Sequence, residues 1–158
     1  MAPYARTGFS KIEGVLLAGA IGGLALIAMP RFASAGVDTR VEDCAQQITR
    51  ITRAFEGYRS SNGYWPPDTV VGQAPPEMRS VFKGDNPFRG MTPIGGQFDY
   101  DLPEDAGPIC IVIRGGGVVE PPSIEDALAL DAQIDDGDLM TGNFRAVTGG
   151  FAYAFAKK

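Results

Sequence analysis

The chain has 158 residues, with 14 lysines and arginines against 19 aspartates and glutamates and a net formal charge of −5. An acidic chain lacks the Lys and Arg clusters that phosphate contacts require, so nucleic acid is not an expected partner. The chain has no histidine, which removes the commonest general base and metal ligand. With only two cysteines it cannot form a four-Cys zinc site. We therefore expect a structural or binding protein and not an enzyme.

The first predicted element is a helix that can span a membrane. From Phe9 to Met29 the chain carries only two charges, Lys11 and Glu13, among mostly apolar residues. As a helix this stretch is ~31 Å long at ~1.5 Å per residue, which matches a hydrocarbon core of ~30 Å. Cations before the apolar run, including Arg6, favour a cytoplasmic N-terminus. The rest of the chain would then lie outside the cytoplasm.

Glu13 is the unusual residue of this helix, because a carboxylate inside an apolar segment is costly in a bilayer. An intramembrane charge points to a function and to a partner of opposite charge. If the chain is cut after Gly8, the new amino group of Phe9 lies about one helical turn from Glu13. Pairing the two charges, within one chain or between neighbours, would offset the cost of both.

Gly8, Phe9, Glu13 and the apolar helix together resemble the N-terminal signal of type IV pilins and type II secretion pseudopilins. Pro30 falls at residue 22 of the processed chain, where these proteins commonly carry proline, whereas Lys11 replaces a usual apolar residue. The resemblance implies cleavage after Gly8 by a prepilin peptidase, N-methylation of Phe9, and pairing of Glu13 with an amine in the filament. It also implies an inner-membrane protein that an assembly platform builds into a homo-oligomeric periplasmic or extracellular filament.

On this interpretation the chain divides into a leader at 1–8, a membrane and filament-core helix at 9–35, and an extracytoplasmic domain at 36–158. Three alternatives stay open. The protein could be a minor pilin-like subunit that caps a filament or binds cargo. It could be a secreted domain with an ordinary signal peptide cleaved after Ala35, since Ala33-Ser34-Ala35 has the A-x-A pattern. It could also be a domain held by a plain signal anchor.

The helix is predicted to continue beyond the membrane to about Ser60. Apolar residues recur at spacings of three and four on one face, with polar residues between them; the stripe is Val41, Cys44, Ile48, Ile51, Phe55 and Tyr58. Asn62-Gly63 should end the helix. The stripe needs a partner to cover it, and the remainder of the chain supplies one.

Four strands and one further helix are predicted after the loop that opens at Tyr64-Trp65. Alternation and β-branched residues indicate strands at 97–102, 109–114, 143–147 and 151–156, the second of them central. Residues 123–134 indicate a helix with Ser123 and Asp126 placed as a capping box. The predicted fold is α+β: a long N-terminal helical spine packed against a small antiparallel sheet, the pilin-like roll that the resemblance also implies.

Three side-chain sets are candidates for chemistry. Asp135, Asp136 and Asp138, close to Asp131, offer hard oxygen ligands for Ca2+, although their spacing is equally that of a solvated turn. Tyr64, Trp65 and Phe88 indicate either a binding patch or a lid over the core. Apart from a possible calcium ion, no cofactor is expected.

Cys44 and Cys110 could form a disulfide outside the cytoplasm. Cys44 lies on the helical stripe and Cys110 in the central strand, which would bring the two elements together. The alternation of Ile109, Ile111 and Ile113, however, points Cys110 away from the core. A bridge and two separate thiols therefore both remain open.

Overall fold

The computed structural model describes residues 39–158, which belong to one compact unit, Asp38–Lys158. The predictions made for Gly8, Phe9, Glu13 and Pro30, and for the alternative cleavage after Ala35, lie outside the described residues. Within residues 39–158 the fold is α+β with a four-stranded antiparallel sheet, as predicted. None of the helices in this described part is both long and apolar enough to cross a membrane.

The first described element, helix α1, runs over residues 39–62. Its apolar stripe is buried as the spacing predicts, from Val41 to Phe55, while Tyr58 at the end of the stripe is half-buried. The polar face between these residues is mainly exposed. Gly63 ends the helix with a φ of +82°, a conformation that glycine adopts without a steric cost, and its amide bonds the Arg59 carbonyl.

The sheet contains four strands, β1 Gln97–Asp101, β2 Pro108–Arg114, β3 Phe144–Val147 and β4 Gly150–Lys157. Their order is β1-β2-β4-β3 and every pair is antiparallel. The β-branched strand β2 is therefore central, as predicted. Each outer strand joins an inner one through a hairpin.

Helix α1 packs on one face of this sheet. The Phe55 ring lies 4.2 Å from the Tyr100 ring and 6.4 Å from the Phe155 ring, measured between centroids. On the same face, Ile109, Ile111 and Ile113 are 1% exposed or less. Alternation along a strand puts its intervening residues on the opposite face. The core therefore lies between α1 and this isoleucine row.

Helix α2, Ile124–Ile134, lies in the connection between the two hairpins. The Ser123 hydroxyl accepts a hydrogen bond from the Asp126 amide at 3.1 Å, so Ser123 is the predicted N-cap. The Asp126 carboxylate accepts from Arg40 of α1 at 3.2 Å and so connects the two helices. The reciprocal half of a capping box is thus replaced by an ion pair to α1.

The segment between Gly63 and β1 has little regular structure but contributes to the core. Its single helical turn is a 3-10 helix at Pro76–Met78. Fully or nearly fully buried side chains follow, among them Phe82 and Phe88. Both rings lie within 6.4 Å of Phe55, measured between centroids. This loop therefore closes one end of the core.

Candidate functional site

A carboxylate cluster lies at the end of α2, and its deepest member is Asp131. Ala127 and Leu130 place one side of α2 in the core, and Asp131 follows on that buried side. The Asp131 residue is 0% exposed, and neither carboxylate oxygen has a hydrogen-bond partner. Buried polar groups are almost always hydrogen-bonded. An unpartnered buried carboxylate is therefore expected to bind either a ligand or a proton.

The chain after α2 folds back and fixes two further carboxylates beside Asp131. Asp135 accepts hydrogen bonds from the amides of Asn143 and Phe144, the latter at 2.9 Å. Asp136 accepts from the Thr141 hydroxyl at 2.8 Å. These bonds close the loop at the start of β3, so both carboxylates have fixed positions at the end of α2.

Gly142 is required for this loop to close. Its φ is +67°, and a Cβ atom there would overlap the Asp135 carboxylate. A side chain at this position would therefore be strained by its backbone conformation and would displace a member of the cluster.

One oxygen from each of Asp131, Asp135 and Asp136 lies within 4.8 Å of the others. Burial, followed by the charges of Asp136 and its neighbours, raises the pKa of Asp131, and the backbone amide of Gly137, whose geometry falls short of a hydrogen bond, opposes this shift. Hydrogen bonds, first that from the Phe144 amide, lower the pKa of Asp135. A buried carboxylate beside two further carboxylates is disfavoured as a charged group unless a cation joins it.

The composition of the cluster suits a hard cation. Three carboxylates, with no thiolate or imidazole, are typical ligands for Ca2+ or Mg2+. This group differs from the sequence-based set in one position. Asp138 lies outside the three-carboxylate group, and its side chain accepts from the Met140 amide at 3.0 Å within its own turn. Asp131 belongs to the group in place of Asp138, and its burial on the core side of α2 distinguishes it from Asp138.

The two cysteines are free thiols, and the possible bridge between them is not formed. Cys44 is fully buried on the core side of α1. Cys110 is paired with Ala154 in the sheet and alternates with the buried Ile109 and Ile111, so it faces away from α1. Cys110 therefore points away from the core, as its alternation with the isoleucines predicts, and the two thiols lie on opposite sides of β2.

A second charged cluster lies on the sheet face turned away from α1. The buried Asp99 accepts from the Nε of Arg114 at 2.6 Å, while its other oxygen has no partner. Arg114 also reaches Asp101 at 3.5 Å. Burial raises the pKa of Asp99, and Arg114 opposes the shift without cancelling it. This cluster connects β1 to β2 through their side chains, and its role is structural.

The aromatic residues after α1 divide between the core and the surface. Phe88 is fully buried, with its ring 6.4 Å from that of Phe98. Trp65 is half-buried and packs edge-on against Phe155 at 5.7 Å. Tyr64 is 58% exposed and contacts Tyr58. Phe88 and Trp65 therefore cover the core, and these three residues do not form one exposed binding patch.

The fold and site define an α+β domain with an amphipathic helix under an antiparallel sheet and an acidic cluster beside its second helix. No family model, no curated protein and no solved structure matches the chain.

Proposed function

We propose that the protein is a structural subunit of a type IV pilus or type II secretion pseudopilus. The observation that carries the proposal is the combination of Gly8, Phe9 and Glu13 with the apolar segment that follows. In this proposal the protein is inserted in the inner membrane, processed after Gly8 by a prepilin peptidase, and assembled by an inner-membrane platform. The mature subunits form a periplasmic or extracellular filament. Its role is packing and not catalysis.

The described part of the chain supports this proposal through helix α1. One face of α1 is buried against the sheet, whereas the opposite face is polar and mainly exposed. An amphipathic helix of this kind can carry a folded domain on one side and leave the other side for neighbouring subunits. The small sheet packs against the buried face of α1, so the globular domain leaves the exposed face of α1 uncovered.

Assembly in this proposal depends on Glu13. The carboxylate is disfavoured in lipid as an isolated charge and gains a partner when the amino group of a neighbouring Phe9 comes within reach. Small residues around it, among them Gly14 and Gly19, allow helices to approach closely. Charge pairing would set the register, and close packing would supply the contact area.

We further propose that Asp131, Asp135 and Asp136 hold a Ca2+ ion that fixes the loop between α2 and β3. The specific observation is the buried Asp131 carboxylate, which has no hydrogen-bond partner. A calcium ion takes six to eight oxygen ligands, and carbonyl oxygens and water complete such sets. The ion would act as a structural ligand that neutralises the cluster.

Mass spectrometry of the mature N-terminus tests the filament proposal. The chain should begin at Phe9 with the mass of one added methyl group, because cleavage after Gly8 places an amine beside Glu13. A mature chain that begins at Gly36 would overturn the proposal and support the ordinary signal peptide. A chain that keeps Met1 would support a plain signal anchor.

A matched pair of substitutions tests the role of the carboxylate. Glu13→Ala removes an unfavourable charge from the bilayer, so the membrane-inserted amount should be retained or rise. The amount of sheared or sedimented filament should fall sharply, since the neighbouring amine loses its partner. Glu120→Ala, an exposed carboxylate outside α1, serves as the control and should leave filament yield unchanged. Equal yields from both variants would argue against a role for Glu13.

A further inference from the structure

The sheet face turned away from α1 carries an open trough of about 790 Å3. Its floor is built from small side chains of the two central strands, Cys110, Ala152 and Ala154, which share this face by their register. One wall is Arg145 and Val147 of β3, and the other is the chain around Gly107 and Lys158. Because the floor residues are small, the trough leaves room for side chains from another molecule.

All the charged residues that line the trough are cations: Arg145, Lys157 and Lys158. This is unusual in a chain with a net charge of −5. None of the three forms an ion pair with a carboxylate within residues 39–158. Lys158 instead bonds the carbonyls of Pro103 and Glu104, at 2.8 and 2.7 Å. The trough thus has an apolar floor and a positive rim, on which Arg145 interacts with the charge of Asp135 without forming an ion pair.

The turn of the β1–β2 hairpin has the complementary character. Glu104, Asp105 and Ala106 are consecutive exposed residues at its tip. Neither carboxylate takes part in an ion pair within the described residues. Lys158 fixes the backbone at the base of this tip. The molecule therefore presents two adjacent negative charges on a small projecting turn. It also presents a trough whose positive charges are complementary to them.

We propose that the trough of one copy receives Glu104 and Asp105 at the hairpin tip of a second copy. Opposite charges on the two surfaces would steer and orient the contact, and the alanine floor would accept the Ala106 side of the turn. The inference rests on the proposed function, because an assembling subunit is what needs a head-to-head contact. The inference names the two surfaces, the trough and the hairpin tip, through which the globular domains of neighbouring subunits attract each other.

The contact pairs the trough of one copy with the hairpin tip of another, and Ala106 at the tip also lines the trough, so the two surfaces adjoin. Such a heterologous contact can repeat along a filament. A symmetric pairing of two troughs is disfavoured, since it would bring six cations together. The acidic hairpin is thus a better occupant than a second trough.

Zero-length carbodiimide cross-linking of the full chain tests the contact directly, because it joins an amine only to a carboxylate in contact with it. Equal amounts of 14N- and 15N-labelled protein are mixed in detergent micelles and cross-linked. We expect mixed-isotope links between Lys157 or Lys158 and the peptide carrying Glu104 and Asp105. Links found only between equal isotopes, or mixed links that avoid the trough, would overturn the proposal. A link from the trough lysines to a different protein in membrane extracts would also overturn it.

A charge exchange gives an independent readout. The trough variant carries Arg145→Glu and Lys157→Glu, and the tip variant carries Glu104→Lys and Asp105→Lys. Each alone should associate roughly tenfold more weakly by sedimentation, because two exposed attractive charge pairs become repulsive. Their mixture should recover, since each variant then meets an opposite charge. Lys83→Glu, an exposed lysine outside the trough, is the control. A mixture that stays weak, although both variants retain the wild-type melting temperature, would refute the contact.

The two proposals fail in different ways. Filaments with a Phe9 N-terminus but without trough-to-tip links would refute the contact and leave the filament function standing. Trough-to-tip links in a chain that begins at Gly36 would refute the filament function and support the contact in a secreted domain.

Discussion

Replacing Asp131 by Asn should stabilise the protein without calcium and remove its response to calcium. Asn has nearly the shape of Asp but no charge, and its amide group can donate hydrogen bonds to the carboxylates of Asp135 and Asp136. Both Asp131 oxygens are buried without a partner, and such an unsatisfied group costs about 1–3 kcal/mol. In chelator the variant should therefore exceed the wild type by roughly 1–3 kcal/mol in free energy of unfolding.

Calcium should reverse this order. A ligand that binds only the folded state adds about 2.7 kcal/mol at one hundred times its Kd. The wild type should gain this amount, whereas the variant, which has lost the deepest ligand, should gain little. For a domain of this size, 1 kcal/mol corresponds to a shift of about 3–6 °C in melting temperature. The two melting curves should therefore exchange order between chelator and millimolar calcium.

Differential scanning calorimetry of the full chain in detergent, with EDTA or CaCl2, measures this exchange. Glu77→Gln, an exposed carboxylate outside the acidic cluster and the hairpin tip, is the control for a general change in charge and should melt as the wild type in both buffers. The reasoning is refuted if Asp131→Asn is destabilised in EDTA. It is also refuted if calcium raises the melting temperature of the variant as much as that of the wild type.

Three further predictions concern the core, the thiols and the acid response. Phe55→Ala should cost about 3–5 kcal/mol in urea unfolding, because it empties a fully buried site; Tyr64→Ala, at an exposed ring, should cost much less, and equal losses would refute this assignment. Thiol titration of unfolded, unreduced protein should find two thiols per chain, and none would require a bridge. In the native state Cys110 should react before Cys44, since burial raises the pKa of Cys44 to about 12 and that of Cys110 to about 11. Because the folded pKa of Asp99 is raised, its contribution to stability is present below about pH 4, the ordinary value, and is lost as pH rises through the folded pKa. In Asp99→Asn, the free energy of unfolding measured against pH should no longer show this decline. An unchanged slope would contradict the assignment of the decline to Asp99.

The regular elements could be predicted because their patterns are local. Helix α1 has an apolar spacing that matches 3.6 residues per turn, and β2 has a β-branched run with period two. Both patterns report which face is buried, and the same rule correctly indicated that Cys110 points away from the core. The cap at Ser123 is also a local signal, since its hydroxyl bonds an amide three residues away.

The irregular segment from Gly63 to β1 could not be predicted in this way. Phe82 and Phe88 enter the core from turns with no periodic pattern, so their depth depends on the tertiary structure. The carboxylate cluster shows the same limit. Four aspartates within eight positions are visible in the sequence, but only the burial of Asp131 and the return of the chain at Gly142 show which three converge.

The strand order has a consequence for how the domain folds. Each hairpin is local and can form within ~1–10 μs, but β2 and β4 are joined by the whole segment from Gly115 to Gly149, which includes α2. Closing this loop must precede the pairing of Ile111 with Tyr153 at the centre of the sheet. We therefore expect the two hairpins to form first and their pairing to limit the folding rate. A mutation that loosens α2 should slow refolding even if it lies far from every strand.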